Sequence, residues 1–139
     1  MKAVDILLVE DNEGDILLTT EAFEEGRILN TTRVVRDGRS AIDLLSEDLK
    51  SNTLPDLIIL DVNIPRMNGH EVLQHIKQHT DLKHIPVIML TTSSTESDII
   101  TSYQNHANCF ITKPVEALDF MNAISKIEDF WINIVQLPK

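Results

Sequence analysis

The chain has 139 residues, 42% of them hydrophobic and 24% charged, with a formal net charge of −10. That length suits one domain with a real core. No basic stripe offsets the acid, which argues against nucleic acid and anionic membrane as direct partners, and no apolar run approaches the roughly 18 residues of a membrane span.

Val4 to Val9 predicts the first strand, apolar on both faces through Ile6-Leu7-Leu8-Val9 and ending in Glu10 and Asp11. Both carboxylates also interrupt any signal-peptide core, so cytoplasm is the expected location. Helix one follows, with Ile16, Leu17, Thr20 and Phe23 on one face and Gly26 as its stop. Thr31 to Arg36 is strand two. Its polar content suits a sheet edge. Asp37-Gly38 turns the chain into helix two, marked by Ala41, Ile42, Leu45 and Leu49. Residues 51–55 form a longish loop.

Asp56 to Leu60 is strand three, a run of apolar residues that ends at Asp61. Such a run is expected at the centre of a parallel sheet. Asn68-Gly69 opens helix three, with Val72, Leu73 and Ile76 inward. Ile85 to Leu90 is strand four, followed by Thr91-Thr92-Ser93. Thr95 caps helix four, with Asp98 three residues on, and Ile99, Ile100 and Tyr103 follow. Ala107 to Thr112 is strand five, ending at Lys113-Pro114. Helix five begins near Glu116 and carries Phe120, Ile124, Ile127, Trp131 and Ile134 on one stripe. A tail of about 132–139 follows. Trp131 reads as core before interface. The single cysteine, Cys109, excludes an internal disulfide and sits in an apolar run, where a buried, inert thiol is expected.

Five strands alternating with five helices make a doubly wound α/β fold in one domain over 1–139, because right-handed crossovers lay helices on both faces of a parallel sheet. The polar second strand favours the order 2-1-3-4-5. Strands one and three are then neighbours, and the functional crevice lies beyond their carboxyl ends. Glu10, Asp11, Asp61, Thr91 and Lys113 all fall there. Clustered carboxylates repel, so a proton or a cation must intervene. Carboxylate oxygens without His or Cys suit a hard cation, and Mg²⁺ is the first choice.

These residues carry a resemblance. Glu10-Asp11, Asp61, Thr91, Phe110 and Lys113-Pro114, in this order on a fivefold β/α pattern, resemble the receiver domains of two-component response regulators, whose fold is flavodoxin-like. The resemblance implies that Asp61 accepts a phosphoryl group from a sensor histidine kinase, in a reaction the receiver itself catalyses. It implies Mg²⁺ held by Asp11, Asp61, the backbone carbonyl of Asn63 and, mostly through water, Glu10. Lys113 would pair with Asp61 and then with a phosphoryl oxygen. Thr91 would turn its hydroxyl to another, and Phe110 would swing into the space left by Thr91. A cis Lys113–Pro114 bond is implied too. The family commonly dimerises through helix four, strand five and helix five, and that homodimer is expected here. The loop before strand three and the tail Asp129-Phe130-Trp131…Val135-Gln136-Leu137-Pro138 are similar to stand-alone receivers that serve bacterial phytochromes. With little chain after Lys113, output is expected through protein contacts or through phosphoryl relay to another carrier.

Two other functions compete. A haloacid dehalogenase-type phosphatase also places an Asp nucleophile after a central strand, but it needs a second Asp two residues on, where this chain has Asn63. A receiver-like module that binds without phosphorylation would not need the intact acid cluster. His70-Glu71 and His75 miss a zinc-protease spacing by one residue, and His75 and His79 lack a third ligand, so a solvated helix face is expected there.

Overall fold

The computed structural model describes residues 3–26, 29–91, 101, 103–107, 109–113, 118–119, 121–123 and 125–126; at Thr91, Cys109 and Phe110 it describes the backbone. Five parallel strands, β1 (Val4–Val9), β2 (Asn30–Val35), β3 (Leu57–Leu60), β4 (Val87–Thr91) and β5 (Cys109–Thr112), form one sheet in the order β2-β1-β3-β4-β5. Three helices are described from end to end: α1 (Glu13–Glu25), α2 (Gly38–Ser51) and α3 (Gly69–Gln78). Residues 101, 103 and 104 are helical between β4 and β5, and residues 118, 119, 121–123, 125 and 126 are helical after β5, where the fourth and fifth helices are expected.

Strand alternation divides the core in two. Leu7, Val9, Ile58, Leu60, Val87 and Met89 face one side, where α2 supplies Ala41, Ile42 and Leu45 and α3 supplies Val72, Leu73 and Ile76. Ile6, Leu8, Leu57, Ile59, Ile88 and Leu90 face the other, against Ile16, Ala22 and Phe23 of α1 and Met121 after β5. Successive side chains of a strand point to opposite faces, so an apolar run without alternation is what a sheet covered on both sides requires.

Local signals set the helix ends. The side chains of Asn12, Asp37 and Asn68 accept backbone N–H groups of the first turns of α1, α2 and α3. Asn68 and Glu71 complete a capping box. The face of α1 differs from the expected one. Ile16, Thr19, Ala22 and Phe23 are buried, Leu17 is exposed, and Thr20 is half-buried with its hydroxyl donating to the carbonyl of Ile16. The run Ile16-Leu17-Leu18 is apolar all round, so its helical phase is ambiguous, and Phe23 with small Thr19 and Ala22 decides it. Gly26 does follow the helix, but in extended backbone, not the left-handed conformation. Strand four starts two residues later than expected, because Ile85 still belongs to the preceding turn through its N–H to the carbonyl of Leu82.

The expected Thr95 cap, Ile99 and Ile100, the Lys113–Pro114 bond, the stripe of Phe120, Ile124, Ile127, Trp131 and Ile134, and the tail lie outside the described residues.

Candidate functional site

The site is built by register. Val9 pairs with Val35 on one side and Leu60 on the other, and Leu60 pairs with Met89. Those ladders close with Glu10 N–H on the carbonyl of Val35 (3.0 Å) and Asp61 N–H on that of Val9 (3.1 Å). Glu10 and Asp61 therefore leave adjacent strands at the same level, at the topological switch between β2-β1 and β3-β4-β5. Thr91 pairs with Thr112 in the last register of β4 and β5. Lys113 follows at once.

Carboxylate oxygens of Glu10, Asp11 and Asp61 all lie within 4.8 Å of one another. Glu10 and Asp61 are buried, while Asp11 is exposed. The Lys113 ammonium is buried against them. It donates to Oε1 of Glu10, to Oδ2 of Asp61 at 3.1 Å, and to Oδ2 of Asp15 at 2.8 Å. The other oxygen of Asp61, Oδ1, accepts the Asn63 N–H at 3.1 Å. The second oxygen of Glu10, Oε2, accepts the N–H groups of Asp11 (3.2 Å) and Asn12 (3.3 Å).

Three carboxylates thus bond one ammonium, and a fourth, Asp11, stands close to two of them. Burial pushes the Glu10 carboxyl up to about 7, and the nearby Asp61 carboxylate adds to this against the opposing pull of Lys113. For Lys113, burial favours the neutral amine, but its bonds to Asp15 and Glu10 and the charge of Asp61 outweigh it, so the lysine is held above its ordinary value. The ammonium stays charged, and the buried glutamate is the carboxyl whose ionisation is disfavoured.

Two glycines hold the loop after β3 in place. A Cβ on Gly69 would stand 2.2 Å from the carbonyl oxygen of Asp61, and one on Gly38 would stand 1.9 Å from that of Met67. Gly69 N–H also binds the carbonyl of Val62 (2.8 Å) and Gly38 N–H that of Pro65 (3.2 Å). The α2 and α3 amino termini therefore press directly on the segment that carries Asp61.

Of the residues expected at the site, Glu10, Asp11, Asp61 and Lys113 come together, and Asn63 contributes its N–H. Thr91 and Phe110 have the expected backbone positions in β4 and β5; their side chains lie outside the described residues. Asp15 was not expected. Its signal is an acid one helical turn after Glu10-Asp11, which in sequence reads as an ordinary first-turn acid.

Residues 6–125 match the family described as response regulator receiver domain. The response regulator Rcp1 of Synechocystis is 42% identical over 135 residues, covering 96% of this chain and 92% of Rcp1. The solved structure of the phosphorylated cyanobacterial phytochrome response regulator RcpA is 40% identical and superposes with a TM-score of 0.93 over 99% of this chain and all of RcpA. The Mn²⁺-bound form of Rcp1 superposes with a TM-score of 0.90 at 42% identity, covering 98% of this chain and 99% of that one. These likenesses displace the phosphatase alternative. The chain belongs to the response regulator receiver family of two-component signalling.

Proposed function

We propose that Asp61 is the phosphoacceptor and that a phosphohistidine of a sensor histidine kinase is the donor. The observation that carries this reading is the meeting of Asp61 with Glu10, Asp11 and Lys113 beyond the carboxyl ends of the strands. An oxygen of Asp61 attacks phosphorus. The P–N bond breaks, its electron pair stays on the imidazole nitrogen, and an acyl phosphate forms. In hydrolysis, water attacks phosphorus, the bond to the Asp61 oxygen breaks, and the carboxylate, inorganic phosphate and a proton result. The receiver's own residues catalyse both steps, so the chain is a signalling acceptor and not an enzyme with a separate substrate.

The residues fit a divalent ion, and Mg²⁺ is our choice. Glu10, Asp11, Asp61 and the backbone carbonyl of Asn63 would hold it, all hard oxygen donors. Bound there, it supplies positive charge to phosphoryl oxygens. Lys113 supplies the rest from the protein side, passing from Asp61 to a phosphoryl oxygen. Thr91 turns its hydroxyl to another oxygen, and Phe110 moves inward behind it. These two switch roles are supported by the end of β4 at Thr91 and by Phe110 lying three residues before Lys113.

The likeness to RcpA over its whole length supports a phytochrome as the kinase. Output goes to a homodimer through the helix before β5, β5 itself and the helix after it, in the cytoplasm. Exposed Tyr103 lies on the first of these elements. Sedimentation with and without a phosphoryl mimic tests the dimer, and a strict monomer in both states would refute it.

The phosphoacceptor test is direct. Wild type and Asp61→Asn are treated with a small acyl phosphate and Mg²⁺, and intact mass is read. Wild type should gain one phosphoryl group. A phosphoryl gain in the variant, or none in wild type, overturns the assignment.

A further inference from the structure

Lys113 has three N–H donors, and three carboxylates take them. Two of these, Glu10 and Asp61, belong to the oxygen cluster suited to a cation. The third, Asp15, does not. It is also the wettest of the three, its side chain 25% exposed against 3% and 7% for Glu10 and Asp61.

The position of Asp15 in α1 is telling. It is the third helical residue, and its N–H donates to the side chain of the cap, Asn12, at 2.9 Å. In α3 the equivalent residue, Glu71, sends its carboxylate back to the N–H of its own cap, Asn68, at 3.3 Å. In α1 that task falls to Glu10, whose Oε2 accepts the Asn12 N–H. The Asp15 carboxylate is thereby released from capping and reaches across to Lys113, 98 residues away in sequence.

We infer that Asp15 is a positioning residue that holds Lys113 so that the lysine can release Glu10 and Asp61 to a divalent cation. The inference rests on the proposed Mg²⁺ site. A cation entering the cluster competes with the ammonium for the negative charge of Glu10 and Asp61. With Asp15 in place, Lys113 keeps a charged partner throughout that exchange. Without it, the buried ammonium has, among the described residues, the two cluster carboxylates to neutralise it, and it competes with the cation for both. Asp15 thus acts on the cation through Lys113, without joining its ligands.

A double-mutant cycle isolates this route, because direct attraction between Asp15 and the cation survives removal of the lysine whereas the proposed coupling does not. Mg²⁺ dissociation constants are measured by calorimetry for wild type, Asp15→Asn, Lys113→Met and the double variant. Asp15→Asn should weaken Mg²⁺ by about fivefold when Lys113 is present and by less than about twofold when it is absent. Equal changes in the two backgrounds overturn the inference. A wild type that binds no Mg²⁺ overturns the metal reading beneath it as well.

A metal-free measurement needs only the Asp15→Asn variant. In ¹⁵N-lysine-labelled protein, the Lys113 ammonium should show faster proton exchange in Asp15→Asn than in wild type, while the melting temperature changes little. An unchanged Lys113 resonance and exchange rate would show that Asp15 does not hold the lysine, whatever Mg²⁺ does.

Discussion

Gly69 stands against the backbone of Asp61: a methyl group on Gly69 would meet the Asp61 carbonyl oxygen at 2.2 Å and the Val62 α-carbon at 2.7 Å. Both obstacles are backbone, so no rotamer relieves them. Gly69→Ala must push α3 away from β3 or move Asp61. Overpacking of this kind costs about 1–3 kcal/mol. The variant should lose that much stability in chemical denaturation and should also phosphorylate more slowly. Stability loss with an unchanged phosphorylation rate would mean that α3 yields and Asp61 stays.

A second prediction concerns the opposite end of the sheet. Arg33 reaches from β2 to Asp48 in α2 (2.9 Å) and to Asp5 in β1 (3.3 Å). Asp48 is buried and also accepts the Thr53 hydroxyl at 3.0 Å. Asp48→Ala leaves Arg33 with a weaker partner and the Thr53 hydroxyl without the Asp48 carboxylate, while the Thr53 N–H keeps the Asp48 carbonyl at 2.9 Å. Removing one partner of a fully buried pair costs about 3–5 kcal/mol. Arg33 is 30% exposed and keeps Asp5, so about 1–3 kcal/mol is expected here. Denaturant midpoints measure it. Phosphoryl uptake should be unaffected, since Asp48 lies on the last turn of α2, away from Asp61.

The polar content of β2 correctly placed that strand at the edge. The reason is more specific than edge polarity, because Arg33 is an internal tie between three elements. Sequence patterning reads exposure well and long-range pairing poorly. The same limit explains the site. Glu10, Asp11, Asp61 and Lys113 were legible because each follows an apolar strand, and strand ends converge in a parallel sheet. Asp15 was not, because it sits inside a helix and its partner lies 98 residues on. The buried face of α1 was half legible. Phe23 and Ile16 lie on the buried face as their spacing predicts, but Leu17, apolar and at the same spacing, is exposed, and Thr19 and Ala22 take that place. Small residues at the contact let the helix approach the sheet, and hydropathy alone undervalues them.

A third prediction follows from the charge balance at the site. Lys113 is the one cation bonded to Glu10, Asp15 and Asp61 among the described residues. Lys113→Met keeps much of the side-chain bulk and removes the charge. The buried carboxylates then repel one another, so without Mg²⁺ the variant should melt below wild type at pH 8. Protonation relieves that repulsion, and the deficit should shrink as pH falls. Mg²⁺ should restore more stability to the variant than it adds to wild type, because no ammonium competes for Glu10 and Asp61. Equal Mg²⁺-induced shifts in melting temperature would contradict this.

The last prediction uses Glu10. Burial, with Asp61 alongside, raises its carboxyl from an ordinary 4.5 to about 7 in the folded protein. Between these two values the folded chain holds a proton that the unfolded chain has lost. This residue's contribution to stability therefore falls as pH rises from about 4.5 through about 7, the reverse of an acid whose value is depressed by folding. Metal binding has the opposite dependence. A carboxylate must be ionised to serve a cation, so below about 7 Mg²⁺ must displace the Glu10 proton, and its apparent affinity should fall with pH. The fall should approach about tenfold per pH unit once Glu10 is mostly protonated. Calorimetric Mg²⁺ titrations at pH 6 and pH 8, each in two buffers of different ionisation enthalpy, give both the affinity and the number of protons released. Wild type should release a substantial fraction of one proton at pH 6 and almost none at pH 8. Glu10→Gln should bind Mg²⁺ more weakly at pH 8, with a much flatter pH dependence, because the group that titrates is gone. A wild-type affinity that is the same at both pH values, with no proton release at pH 6, would show that Glu10 is already ionised there or takes no part in holding the ion.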